Sequence, residues 1–182
     1  RRWVIQYVKD HLAPGLKVRW EYGNETWNTI FPVYDWLKAA AIAAGLADAD
    51  HIRVCKMYAR KIVEASSDII DIYGPLWGTD ACQMMFGSQQ GWFAARVAPA
   101  LLETVGGVAC YERIHWIAYA PYFTDSEAGG IDTSLSGSAA VDAVIAKAWE
   151  TSAAHIDAMA DQARQIAVWC EGKACRPTPS AS

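Results

Sequence analysis

Lys17-Val18-Arg19-Trp20-Glu21-Tyr22-Gly23-Asn24-Glu25-Thr26-Trp27-Asn28 decides how the rest of the chain is read. Apolar and polar side chains alternate from 16 to 23. Val18, Trp20 and Tyr22 fall on one face of a strand, and Arg19, Glu21 and Gly23 on the other. The strand delivers Asn24-Glu25, flanked by Trp20 and Trp27, into a turn ahead of a helical stretch at 32–45. Helical periodicity is also predicted at 2–12, 50–73, 91–104 and 139–170, with breaks at Pro14-Gly15, Gly45, Gly74-Pro75 and Gly106-Gly107.

Two further strands are predicted, at 81–87 and 112–120, and each alternates like the first. Cys82, Met84 and Phe86 oppose Gln83, Met85 and Gly87; Ile114, Trp116 and Ala118 oppose Arg113, His115 and Ile117. Strands alternating with helices predict an α/β chain with parallel pairing. An open doubly wound sheet has near-continuous apolar strands. One polar face per strand instead suits a (β/α) barrel, in which Arg19, Glu21, Arg113 and His115 are expected to pair inside. A whole barrel of this type takes about 200 residues or more, and three strands are legible in 182. A partial barrel over 1–175 with a Pro/Ser tail at 176–182 is the expectation, and the segment 124–138 reads as a long polar loop.

Composition excludes several classes. The chain is 53% hydrophobic with a net charge of −4, which supports a packed core and gives no basic patch for nucleic acid. No run of apolar residues is long enough to span a membrane. The chain begins at Arg1 rather than Met, so a fragment is expected. Five cysteines, Cys55, Cys82, Cys110, Cys170 and Cys175, include no CxxC and complete no zinc spacing with histidine. Cys170 and Cys175 are near enough in sequence for a local disulfide in an exported protein, and buried thiols are the alternative. No phosphate loop, dinucleotide fingerprint, HExxH or GxSxG is present. Neither a metal nor a cofactor is expected.

Chemistry in a barrel collects at the C-terminal ends of its strands. Those ends are Gly23-Asn24-Glu25-Thr26-Trp27-Asn28, Gly87-Ser88-Gln89-Gln90-Gly91-Trp92 and Ala120-Pro121-Tyr122-Phe123-Thr124-Asp125. Each joins hydrogen-bonding groups to aromatic faces, the mixture a sugar ring requires. Glu25 could equally be an acid beside a helix N-terminus, and Trp27 and Trp92 could serve as core packing. Gln89, Tyr119 and Tyr122 are candidate substrate contacts, with capping or packing as their alternatives. Asn24-Glu25-Thr26 also satisfies the N-glycosylation sequon, a triplet common by chance.

Trp20 to Asn28, followed by Phe31-Pro32, resembles the fourth-strand signature of clan A glycoside hydrolases. It is most similar to bacterial proteins with a "VEYSNEVWN…FPQ" pattern, some labelled cellulose-binding. Phe86-Gly87-Ser88-Gln89 and Ala118-Tyr119-Ala120-Pro121-Tyr122-Phe123 resemble the next two strand ends, so the likeness spans roughly 1–125. Gly23 stands where Ser is usual, and Val33 where Gln is common. The resemblance implies barrel strands four to six, Glu25 as general acid/base, Asn24 on the sugar 2-hydroxyl, a carbohydrate substrate, and a secreted or periplasmic setting.

Such an enzyme needs a second carboxylate, about 5 Å away in a retaining mechanism, which the resemblance puts at the end of strand seven. Glu171 is the late candidate here, but Ile156, Met159, Ala163 and Ile166 make its segment helical, with Gly172 as a stop. The nucleophile is therefore expected outside the chain, leaving this segment inactive by itself. A non-catalytic carbohydrate-binding barrel and an α/β interaction module are the alternatives.

Overall fold

The computed structural model describes residues 1–89, 91–120, 134 and 136–173, apart from the side chains of Ala120 and of 147–155. It is a mixed α/β structure around a three-stranded parallel sheet. The chain runs α1 (Arg2–His11), β1 (Val18–Glu21), α2 (Pro32–Ala43), α3 (Asp50–Tyr73), β2 (Cys82–Gln89), a π-helical turn (Phe93–Val97), and α4 (Ala98–Leu101). It continues through the small hairpin β3 (Thr104–Val105) and β4 (Val108–Ala109) to β5 (Trp116–Ala120) and α5 (Gly137–Gly172). β1 and β5 both pair parallel with β2, giving the order β1-β2-β5.

Local signals set these boundaries. Pro32 opens α2, where its missing N–H costs nothing. The helix closes at Gly45, φ +73°, with Leu46 N–H bonded back to the Ala41 carbonyl and Gly45 N–H to that of Ile42, both at 3.0 Å. The 24-residue α3 buries Val54, Met57, Tyr58, Ile62, Ala65, Ile69 and Tyr73, a stripe at helical spacing. It ends at Gly74, φ +55°.

That stripe covers one face of the sheet. Cys82, Met84 and Phe86 are buried against it, and Val18, Trp20 and Tyr22 extend the same core. The Tyr58 and Phe86 rings meet edge-on at 4.8 Å, and Trp20 meets Tyr73 at 6.3 Å. On the opposite face, Trp116 donates its indole N–H to Gln83, and the Arg19 guanidinium lies 5.8 Å from the centre of the Trp116 ring.

Three expectations are corrected here. Arg19 turns to the Asp80 carboxylate at 2.8 Å, joined there by Lys17, and not to Glu21. His115 instead accepts a hydrogen bond from Met84 N–H at 3.1 Å and packs edge-on against Trp77. Second, the third strand starts at Trp116, after a 3-10 turn at Cys110–Glu112 and a bend at His115. Ile114 joins the core as read, but the bend reverses the alternation beyond it. Ile117 and Tyr119 join the core, and Trp116, paired in register with Met85, takes the polar face. Third, the helix expected at 91–104 divides into the π-helical turn and α4, with Pro99 in the latter's first turn.

Candidate active site

The C-terminal end of β1 is built around two left-handed backbone positions. Gly23 has φ +80°, and a Cβ there would lie 3.1 Å from Thr26 Cγ2. Glu25, φ +45°, is the only non-glycine residue with positive φ among the described residues. Such a conformation persists only where neighbours enforce it. Asn28 supplies that enforcement. Its backbone N–H bonds the Glu25 carbonyl at 2.9 Å, and its side-chain Nδ2 donates to Glu25 Oε2 at 2.9 Å. Asn28 Oδ1 in turn accepts from Ile30 N–H at 3.1 Å. Thr26 is buried beneath the turn, and Glu25 is half-buried above it. The acid of the first turn of α2 is Asp35, so Glu25 is held by Asn28 rather than by a helix terminus.

A second carboxylate shares this site, and the sequence reading missed its role. Glu21, the last residue of β1, lays its carboxyl over the Cα of Gly87 on β2. A Cβ on Gly87 would stand 2.1 Å from Glu21 Oε1 and 3.3 Å from the Trp27 ring. Only glycine leaves that space. Gly87 N–H donates to the Tyr58 hydroxyl at 3.1 Å, which fixes the floor. Loss of hydration, then the charge of Glu25, pushes the Glu21 carboxyl above the usual carboxylate range. The signal available in the sequence was the two-residue period that put Glu21 on the polar face beside Gly87.

Trp27, which reaches Gly87 beside this carboxylate, also lines a pocket. The pocket encloses about 320 Å³ between Trp27, Asn28, Tyr34, His51, Gln89 and Trp92, with Arg96 closing one side. The Arg96 guanidinium stacks 3.4 Å from the centre of the Trp92 ring, so one face of that indole is covered. Arg96 belongs to the π-helical turn, where both Arg96 and Val97 N–H groups bond the Trp92 carbonyl.

The predicted residues therefore divide. Glu25 is tied to Asn28 in the turn after β1, and Asn28 lines the adjoining pocket with Trp27, Gln89 and Trp92. Asn24 is exposed in the same turn. Tyr119 lies on the core face of β5, where burial pushes its hydroxyl pKa upward. Gln162 of α5, close to that hydroxyl, is buried and accepts Gly91 N–H at 2.8 Å. Glu171 is exposed in the last turn of α5. Tyr122, most of the loop 124–138, Cys175 and the tail 176–182 lie outside the described residues.

Among the described residues, no group of three or more His, Cys, Asp or Glu side chains is placed to hold a metal ion, and no helix is long and apolar enough to cross a membrane. Burial pushes the thiols of Cys55 and Cys82 up to about 12 and about 11. Both are packing groups at neutral pH. Comparison with protein-family models, with curated proteins and with solved structures gives no match.

Proposed function

We propose that this chain is the central part of a clan A type glycoside hydrolase, contributing strands four to six of a (β/α)8 barrel, with Glu25 as general acid/base. One observation carries the reading. A carboxyl group on a strained, side-chain-clamped turn stands at the C-terminal end of a parallel strand, next to an indole-walled pocket. Three parallel strands adjacent in chain order agree with it, as does the motif resemblance.

In this reading a sugar ring stacks on Trp27, Asn24 bonds its 2-hydroxyl, and Gln89 contacts a neighbouring hydroxyl. Protonated Glu25 gives its proton to the glycosidic oxygen as the C–O bond breaks, and the resulting carboxylate then takes a proton from water. The Asn28 amide holds Oε2, which aims the second carboxylate oxygen. The nucleophile is assigned to another part of the barrel. Glu21, on the same strand as the turn, tunes the floor of the site.

A second reading, a carbohydrate-binding barrel without catalysis, is favoured by the pocket, whose indoles and amides need no carboxylate. Release of reducing ends from an oligosaccharide panel by the gene product separates the two. The hydrolase reading predicts release that Glu25→Gln lowers by about 10²–10⁴-fold while binding persists. Binding without release by the unmutated protein supports the second reading, and neither binding nor release removes both.

A further inference from the structure

The pocket beside Trp27 holds a charge that cleavage of a neutral sugar does not use. Arg96 is half-buried on its wall, and among the described residues no carboxylate pairs with it. Asp50, next to His51 in sequence, is held by Lys38 at 2.5 Å. The pocket lining contains no acid, and it adds His51, from the first turn of α3, to the same wall. The helix terminus there carries partial positive charge. Burial disfavours the charge on Arg96, a cost that an incoming anion offsets.

Stacking on Trp92 fixes the plane of the guanidinium and leaves its edge donors available, because they lie in that plane. A planar, singly charged carboxylate matches such a fork in a bidentate way. The pocket volume of about 320 Å³ is at the lower end of small-ligand sites, and the half-buried Trp27 is part of its lining.

We propose that this pocket is a subsite for a uronic acid residue, its carboxylate paired with Arg96 and its ring against Trp27. The inference rests on the carbohydrate reading above and names the substrate class for that site.

Calorimetric titration of the gene product tests it. The probes are oligogalacturonate and glucuronate-bearing oligosaccharides, their carboxyl-reduced neutral forms, and sulfated oligosaccharides lacking uronate. The expected result is at least tenfold tighter binding of an acidic oligosaccharide than of its reduced form. Arg96→Gln removes that preference, so that acidic and reduced forms bind with equal affinity, and Arg96→Lys restores part of it. Equal affinity for acidic and reduced forms, or a preference that survives Arg96→Gln, overturns the subsite and leaves the carbohydrate reading standing. Binding of sulfated oligosaccharides alone overturns the carboxylate assignment. Absence of binding to every oligosaccharide overturns both readings.

Discussion

Glu21 and Glu25 show how differently two carboxylates on one strand end can be held. Glu25 sits in a left-handed conformation that costs a non-glycine residue about 1–3 kcal/mol, and Asn28 fixes both its backbone and its side chain. Glu21 has lost hydration over Gly87 and faces the charge of Glu25, so its folded-state pKa is raised. A raised pKa means that the folded state holds the proton more tightly than the unfolded chain. The stabilisation is complete below the ordinary glutamate value of about 4.3 and is lost as pH rises through the folded value. Glu21→Gln is neutral at every pH. Thermal unfolding should therefore show the variant more stable than the parent at pH 7 and indistinguishable from it below about pH 4; a less stable variant at pH 7 contradicts the geometry. Glu25 was legible because an acid after an alternating strand stands at its mouth. The role of Glu21 was not, since the missing Cβ of Gly87 on another strand makes room for it.

At the scale of elements, α3 and β2 form the part of the fold that the sequence states most directly. A stripe at helical spacing and an alternating strand each specify one apolar face, and the two faces meet. Phe86 is fully buried there against Tyr58. Phe86→Ala should cost about 3–5 kcal/mol in denaturant unfolding, and a loss below about 1 kcal/mol contradicts this packing. The third strand was misphased because a bend at His115, tied to Met84 N–H, shifts the alternation by one residue. Tyr119 consequently enters the core. The stretch after β2 was read as one helix because periodicity does not register a π-helical turn, and that turn is what carries Arg96 to the pocket.

For the whole molecule, three parallel strands in chain order place the polar turns after β1 and β2 side by side at one end of the sheet. The Asp80 cluster with Lys17 and Arg19 occupies the other end. Strand-helix alternation made the parallel α/β sheet legible. The pocket was less so, because Trp27, His51 and Arg96 come from three separate segments that only packing unites. The central claim, that Glu25 is the proton donor of a glycosidase, is tested most directly by leaving-group dependence. Hydrolysis by the gene product and its Glu25→Gln variant is compared on a dinitrophenyl glycoside and on the matching alkyl glycoside. A lost proton donor predicts little change in the glycosylation step with the dinitrophenyl compound, which needs no protonation, and a fall of about 10²–10⁴-fold with the alkyl one. Equal loss in the glycosylation step on both substrates, or near-normal turnover of the alkyl glycoside, contradicts the assignment.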